Sequence, residues 1–335
     1  MKYIATVLFA LLALNANAAS YAERDDVRAF ITEMQARHGL DAERLSALFD
    51  KTRAIPFVLK AIAPPADPGI RSWQAYRQRF IEPRRIAAGL DFWRKHETTL
   101  ARAQALTGVP AEVIVAIIGI ETFYGKHLGR FNTFTALATL AFDYPPRADL
   151  FRRELEALLL LAQDEGRNPA SYLSSYAGAI GLPQFLPSSI RAYAVDFDSN
   201  GSVDLVGSPI DAIGSVANFL KEHGWETGGP VAIPVKVDVT EGNPRGTGGT
   251  AHDALIAEGI KPLRRPAEMI EFGVAAPADA PDAPAALIDL VTPNQPMEYW
   301  LGYQNFFVIT RYNRSSFYAM SVFQFAQLLK ERREH

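Results

Sequence analysis

The chain has 335 residues, of which 48% are hydrophobic and 21% charged, and its net charge is −3. This composition is close to that of an ordinary globular protein with one large core or two to three smaller ones. The chain has no cysteine, so disulfides are excluded and the core alone must stabilise the fold. Lys and Arg (34) do not exceed Asp and Glu (37), which argues against nucleic acid as a partner.

The first twenty residues have the pattern of a secretion signal. Lys2 provides a short charged region, residues 4–14 are apolar, and small residues at positions 16–18 suit a cleavage site. The apolar run is too short to span a bilayer as a helix. The sequence therefore predicts a signal peptide at residues 1–19 that is removed on export.

Apolar residues recur at helical intervals through most of the chain up to position 225. Phe30, Met34 and the leucines of residues 40–49 predict two short helices. After a break rich in Pro at residues 63–69, the helical pattern resumes with Trp73. Further helices are predicted at residues 113–120, 134–142, 150–163 and 211–222.

The character of the sequence changes after position 225. Residues 231–239 alternate between apolar and polar, as expected of a half-buried strand, and Gly and Pro become frequent in residues 242–296. Residues 301–312 form another apolar, aromatic run that we interpret as strand-like, and residues 317–332 read as a closing helix. The sequence therefore predicts a small β-rich subdomain before a final helix.

The most informative residue is Glu121, which ends the apolar helix predicted at residues 113–120. A carboxylate at the end of so apolar a run is poorly solvated, which raises its pKa toward neutral pH. A protonated carboxylic acid at neutral pH is what a general acid requires. The alternative is an ordinary surface residue at a helix end.

Residues 174–189 (SSYAGAIGLPQFLPSS) are dense in Gly, Pro, hydroxyls and one amide. Small residues let the backbone approach a ligand closely, and Ser, Tyr and Gln supply donors and acceptors for hydroxyl and N-acetyl groups. The alternative is an ordinary loop that leads into a helix near Pro187. These features favour a ligand-binding loop.

Several separated motifs, in this order, resemble the lytic murein transglycosylase B family. The first is residues 119–125 (GIETFYG), followed by residues 176–181 (YAGAIG) with Gln184 and Phe185. The later motifs are residues 211–219 (DAIGSVANF), 223–225 (HGW), 299–302 (YWLG), 305–306 (NF) and 309–315 (ITRYNRS). The resemblance covers nearly the whole mature chain.

The resemblance implies a predominantly helical α+β fold with a lysozyme-like core. It places an N-terminal helical region at residues 20–100 and the catalytic core, with a calcium-type loop at 196–211, at residues 101–225. The β-rich subdomain is then expected at residues 226–310, and the C-terminal helix at residues 311–335 is expected to pack back on the helical region.

The resemblance also implies the reaction. Glu121 would protonate the glycosidic oxygen between N-acetylmuramic acid and N-acetylglucosamine, and then accept the proton of the muramyl 6-hydroxyl as that hydroxyl attacks C1. The product carries a 1,6-anhydromuramyl end. One carboxylate serves twice, whereas most glycosidases need two. Asp143 is the nearest rival acid, but its position before Pro145 favours a turn.

Carried over by resemblance, Ser175 and Gln184 hold the N-acetyl groups and position the substrate. Tyrosines stack on sugar faces and add hydrogen bonds, although packing in the core is the alternative for each of them. Phe219 stands where the family pattern often has Tyr. The further residues expected to line the cleft are Tyr76, Tyr312, Asn313, Tyr318 and Phe219.

Residues 196–204 (DFDSNGSVD) match the first half of an EF-hand calcium loop. Oxygen ligands stand at positions 1, 3 and 5 and Gly at position 6, but position 12 is Gly207, so a longer loop reaching Asp211 is implied. An Asp-rich turn that binds nothing is the alternative. The candidate ligands of a structural calcium ion are Asp196, Asp198, Asn200, Ser202 and Asp211.

Other chemistry fits poorly. The six histidines are scattered without a zinc spacing, and Ser188 and Ser189 are not in a Gly-x-Ser-x-Gly turn. No cofactor is expected for the reaction. The alternatives left open are a lysozyme-type hydrolase that yields reducing ends, and a non-catalytic peptidoglycan-binding scaffold.

The expected partner is the glycan strand of peptidoglycan, with other cell-wall enzymes as further candidates. Membrane-bound members of the family carry a lipid on a cysteine after the signal, and this chain has none. The expectation is a periplasmic protein that is soluble after cleavage, without a stable membrane anchor.

Overall fold

The computed structural model describes residues 20–64, 71–238 and 251–334, so the expected signal peptide at residues 1–19 lies outside the described residues. Helices dominate, and short 3-10 turns connect several of them. The helices are α1 Asp25–His38, α2 Ala42–Asp50, α3 Pro56–Ile62, α4 Trp73–Gln78, α5 Pro83–Lys95, α6 Glu97–Thr107, α7 Ala111–Thr122, α8 Thr133–Asp143, α9 Ala148–Asp164, α10 Pro187–Tyr193, α11 Pro209–Glu222, α12 Asp253–Ala257, α13 Gln304–Tyr312 and α14 Ser316–Glu334.

Helix boundaries follow capping residues in the sequence. The Asp41 side chain accepts the N–H groups of Glu43 and Arg44 at the start of α2, and Asn132 caps α8 in the same way. Gly39 ends α1 in a left-handed conformation that glycine adopts without a steric penalty. The predicted helices at residues 113–120, 134–142, 150–163 and 211–222 are all confirmed.

Helix α7 lies at the centre of the molecule, with α5, α6, α11 and α14 packed around it. Residues 113–120 are all buried, so the helix is apolar on every face. A helix of this kind is stable only when other elements surround it. The core therefore fixes the position of Glu121, which stands in the last turn of α7.

The strands form two small antiparallel sheets. The first pairs β1 Phe131–Asn132 with β2 Leu173–Ser174. The second has the order β4-β3-β6-β5 and is built from β3 Ala232–Val237, β4 Val274–Ala275, β5 Ala286–Leu290 and β6 Glu298–Gly302.

Within the four-stranded sheet, β5 is covered on both faces, whereas β3 has exposed residues at Pro234 and Lys236. Ile288 and Leu290 of β5 belong to the main core, whereas Leu287 packs with Leu301 and Phe272 in a second, smaller core. Alternate residues of a strand point to opposite faces, so β5 contributes to both cores. The expected fold, α+β and predominantly helical, is confirmed.

One prediction is wrong. Residues 301–312 were expected to be strand-like, but β6 ends at Gly302 and α13 begins at Gln304. Phe306, Ile309 and Thr310 are buried at helical spacing, and the Asn305 side chain donates to the carbonyls of Glu226 and Gly229 at 2.9 Å each. These tertiary contacts select a helix although the aromatic composition favours a strand.

The closing helix expected at residues 317–332 is confirmed as α14. It packs against α4, α5, α7 and α13 and against β5. Within the described residues, no single helix is long and apolar enough to cross a membrane, and only the bent pair of α6 and α7 meets that length and composition together.

Candidate active site

Helix α7 ends one residue after Glu121, in a tightly held turn. Phe123 and Tyr124 both adopt a left-handed conformation, with φ of 51° and 58°, which is uncommon for residues other than glycine. The Thr122 hydroxyl accepts the Gly125 N–H and donates to the Leu182 carbonyl, both at 3.1 Å. Thr122, which sequence reasoning missed, therefore ties the Glu121 turn to the loop at residues 174–185.

The Glu121 side chain is partly buried in apolar surroundings. Burial raises the pKa of its carboxyl group from 4.5 to about 7, although a hydrogen bond from the Tyr318 hydroxyl acts in the opposite direction. That hydroxyl donates to Oε1 of Glu121 at 2.6 Å. The acid is thus substantially protonated at neutral pH, as the apolar run before it predicts.

Three tyrosines surround Glu121. Burial raises the pKa of Tyr76, Tyr312 and Tyr318, and in each case the charge of Glu121 raises it further. The rings of Tyr312 and Tyr318 stack with centroids 6.4 Å apart, and the Tyr312 hydroxyl donates to the Pro183 carbonyl at 2.5 Å. The structure therefore brings together tyrosines from α4, α13 and α14.

Gln184 lies in the loop that faces this turn and also has a left-handed backbone, with φ of 51°. Its side-chain nitrogen donates to the carbonyls of Gly181 at 3.0 Å and Leu128 at 3.3 Å. Because both contacts use the nitrogen, the amide oxygen has no donor from the described residues. Gln184 thus offers an oriented acceptor to a ligand.

Ser175 begins the same loop. Its hydroxyl accepts the Ala179 N–H at 3.1 Å, and its backbone N–H donates to the Ala179 carbonyl at 2.9 Å. Within the described part of the chain the hydroxyl hydrogen has no acceptor, so it can be donated to a ligand. The loop backbone thus holds Ser175 in one orientation.

Phe219 and Asn313 occupy different environments. Phe219 is buried and packs on Phe185 and Tyr312, with ring centroids 5.5 and 4.9 Å away. Phe219 therefore supports the ring of Tyr312 from within the core, whereas it was expected to line the cleft itself. Asn313 is exposed at the end of α13, next to Tyr312, so its amide is open to solvent.

Asp143 is held by other groups. Tyr21 donates a hydrogen bond to its carboxylate, and Arg24 forms an ion pair with it at 2.5 Å. The residue ends α8 just before the turn at Pro145–Arg147. These contacts confirm the interpretation of Asp143 as a helix-end residue.

Three carboxylates of the loop at residues 196–211 lie close together. Asp196, Asp198 and Asp211 each offer an oxygen within 4.8 Å of the others. Asp211 is fully buried, and its two oxygens accept the N–H groups of Phe197 at 2.8 Å and Asp204 at 2.9 Å. Three negative charges at this separation repel one another, and their all-oxygen chemistry suits a hard divalent cation.

The other two candidate ligands bond to each other. Asn200 Oδ1 accepts both the N–H and the hydroxyl of Ser202, at 3.0 and 2.9 Å. The Asp204 carboxylate accepts the N–H groups of Val206 and Gly207, so it caps the second half of the loop, a role that sequence reasoning missed. The residues present fit an oxygen-ligated ion better than they fit any softer metal.

A mostly helical α+β fold and a carboxylic acid with a pKa near neutrality among tyrosines suit a lysozyme-like enzyme that uses acid catalysis. Comparison with known proteins refines this class. The family described as transglycosylase SLT domain matches residues 22–327. The chain belongs to this family, and it is a lytic transglycosylase that acts on peptidoglycan.

The relatives agree in sequence and structure. Membrane-bound lytic murein transglycosylase B of Escherichia coli (strain K12) is 36% identical over 316 residues, which cover 92% of this chain and 83% of that protein. The soluble lytic transglycosylase SltB1 of Pseudomonas aeruginosa is 43% identical with a TM-score of 0.81, over 92% of this chain and 100% of that chain. Escherichia coli Slt35, solved in complex with calcium, is 36% identical with a TM-score of 0.81, over 95% and 96% of the two chains.

Proposed function

We propose that Glu121 is the only catalytic carboxylate and that it acts first as an acid and then as a base. The observation that carries this proposal is the pKa of about 7, which burial produces in spite of the hydrogen bond from Tyr318. No carboxylate of the described chain contributes to that shift. A single acid with a pKa near neutrality suits a reaction in which it must both give and take a proton.

In the first step, the proton moves from Glu121 to the glycosidic oxygen as the bond from that oxygen to C1 of N-acetylmuramic acid breaks. Oε1 accepts the Tyr318 hydrogen bond, so Oε2 is the oxygen that carries the proton. In the second step, the ionised carboxylate accepts the proton of the muramyl 6-hydroxyl while O6 bonds to C1. The products are an N-acetylglucosamine end and a 1,6-anhydromuramyl end, and Glu121 is again protonated.

The loop at residues 174–185 supplies the contacts that hold the sugar. The free oxygen of Gln184 accepts the N–H of an N-acetyl group, and the Ser175 hydroxyl donates to an acetyl or ring oxygen. Tyr76 and Tyr312 stack on sugar faces, and Asn313 adds a solvent-side contact. These contacts exclude water from C1, which favours O6 as the nucleophile.

The test is digestion of purified peptidoglycan followed by mass spectrometry of the released fragments. The unchanged protein should release products one water lighter than those of a lysozyme, and Glu121→Gln should release none while remaining folded. Glu112→Gln is the matched control, because Glu112 lies in the first turn of the same helix and pairs with Lys330 at 3.6 Å. Hydrated reducing ends would contradict the intramolecular step, and full activity of Glu121→Gln would remove Glu121 from the mechanism.

We also propose that the loop at residues 196–211 binds a structural calcium ion, with ligands among Asp196, Asp198, Asn200, Ser202 and Asp211. The ion would reduce the repulsion of the clustered carboxylates and hold the loop before α11. Chelation should lower the melting temperature, added Ca²⁺ should restore it, and Asp198→Asn should weaken the response. Asp149→Asn, on α9 outside the loop, is the control. An unchanged melting temperature after chelation would contradict the site.

We further propose that residues 1–19 are cleaved on export and that the mature protein is soluble in the periplasm, where other cell-wall enzymes are candidate partners. The support is the charged and apolar pattern at the start of the sequence and the missing lipid-bearing cysteine. Cell fractionation should recover the mature protein without detergent. Recovery in a salt-resistant membrane fraction would contradict this localisation.

A further inference from the structure

An exposed pair of aromatic rings lies outside the site described above. Phe57 of α3 and Phe131 of β1 stack with centroids 5.6 Å apart and ring planes only 11° from parallel. Phe57 is 58% exposed, whereas Phe131 is partly buried. One face of Phe57 is thus covered by its neighbour, and the rest of the ring is open to solvent at a free-energy cost.

Phe57 is one of eight large hydrophobic residues that are exposed in the described part of the chain. Leu173 of β2, another of the eight, pairs with Asn132, whereas Phe131 pairs with Ser174. Because residues opposite each other in a sheet share a face, Leu173 lies on the other face of the two-stranded sheet from Phe131. The exposed apolar feature on the Phe131 face is therefore the ring pair itself.

The Phe57–Phe131 pair lies beside the proposed sugar-binding loop. Phe131 pairs with Ser174 across the sheet, directly beside Ser175. A Cβ at Gly129, whose φ is +89°, would lie 2.2 Å from the Ser174 carbonyl, so the two segments are in tight contact. Gln184 donates to the Leu128 carbonyl, and three residues of chain reach at most about 10 Å from there to Phe131.

We propose that Phe57 and Phe131 form an outlying sugar-binding platform that contacts the same glycan strand beyond the sugars held by Ser175 and Gln184. The inference rests on the proposed function. A glycan is a polymer that leaves the cleft at both ends, and a flat aromatic face open to solvent suits the C–H face of a pyranose ring. The position of the pair beside the sugar-binding loop favours this occupant over a protein.

The test measures binding of peptide-free glycan strands in the inactive Glu121→Gln background, where no substrate is consumed. Phe57→Ala should bind long strands about tenfold more weakly, and its affinity for a short oligosaccharide that fills only the cleft should fall much less. Phe57→Trp should restore the affinity for long strands, whereas Phe57→Leu should not, because it keeps apolar area without a ring. Ile270→Ala, which removes another side chain that is 67% exposed, is the control for general loss of apolar surface.

Three outcomes would overturn the platform. Phe57→Leu could bind long strands as well as the unchanged ring does, or Phe57→Ala could weaken short and long ligands equally. Alternatively, Phe57→Ala could alter only the sedimentation of the protein, which would indicate contact with a second chain. Failure of the proposed function would be seen in a different experiment. In that case the unchanged protein, with both Glu121 and Phe57, would release no 1,6-anhydromuramyl products from peptidoglycan.

Discussion

Two opposing influences determine the pKa of the Glu121 carboxyl group. Burial favours the neutral acid, and the hydroxyl of Tyr318 favours the carboxylate by donating to Oε1 at 2.6 Å. Burial is the larger effect, so the pKa is about 7. The apolar residues before Glu121 predict the burial, and the family resemblance places Tyr318 in the cleft. The sequence could not show that the Tyr318 hydroxyl bonds to Glu121, because the two residues are 197 positions apart.

Tyr318→Phe should raise the pKa of Glu121 further, because it removes the hydrogen bond that stabilises the carboxylate. The first step requires the protonated acid, so the alkaline limb of the pH–rate profile should move to higher pH. Turnover should fall by about tenfold, since the carboxyl group also loses its orientation.

The control for Tyr318→Phe is Tyr303→Phe, which removes another buried tyrosine hydroxyl, one that donates to the Pro281 carbonyl away from Glu121. It should leave the pH profile unchanged. An alkaline limb that moved to lower pH in Tyr318→Phe would contradict the assigned role of the hydrogen bond.

At the scale of elements, the side chain of Tyr124 lies where α5 and α7 cross, against a glycine of each helix. The Tyr124 hydroxyl lies 2.4 Å from where a Cβ of Gly89 would be and 2.3 Å from where a Cβ of Gly119 would be. Only glycine leaves room for the ring at these two positions. The hydroxyl itself is buried and has no hydrogen-bond partner among the described residues.

Tyr124→Phe should therefore leave the fold as stable or raise the free energy of unfolding by about 1 kcal/mol, because a buried hydroxyl without a partner is removed. Gly119→Ala should lower it by about 2 kcal/mol or more, since the added methyl group overlaps the tyrosine. The double variant should recover part of that loss. Urea denaturation measures all three, and a Tyr124→Phe variant destabilised by more than about 2 kcal/mol would indicate a hydrogen bond that this packing does not contain.

The success of prediction at this scale depended on the type of pattern. Helix α7 and the helices at residues 134–142 and 150–163 were predictable, because a long run of apolar residues at helical spacing fits neither a strand nor a loop. The helix at Gln304–Tyr312 was not predictable, because a short aromatic run is compatible with both a helix and a strand. The hydrogen bonds of Asn305 with distant residues favour the helix. The stacking of Phe57 on Phe131 and the contacts of Tyr124 with two glycines likewise depend on residues distant in the sequence.

At the scale of the whole molecule, the free energy of unfolding depends on pH through the protonation of Glu121. The carboxyl group titrates at about 7 in the folded protein and near 4.5 when unfolded, so folding favours the protonated form. Below about pH 4.5 both states are protonated and the stabilising contribution is fully present. As the pH rises through 7 it is lost, which lowers the free energy of unfolding by at most about 3 kcal/mol.

Glu121→Gln should therefore be more stable than the unchanged protein at pH 8 and equally stable at pH 4. The neutral amide avoids the cost of an ionised group in apolar surroundings. Melting temperatures at pH 4, 6 and 8 measure the difference, with Glu112→Gln as the control that should show no such trend. A difference that was constant across this range would contradict the linkage.

The contact between Glu121 and Tyr318 also sets the order in which the site can form during synthesis. The ribosome completes the acid, its helix and the whole sugar-binding loop before it reaches α14, which brings the partner hydroxyl from 197 residues downstream. A chain whose translation stops between Glu121 and α14 has the acid but neither the hydroxyl that orients it nor the helix that covers α7. We therefore expect only chains translated through α14 to cleave peptidoglycan, so that premature termination should not release a partly active lytic enzyme.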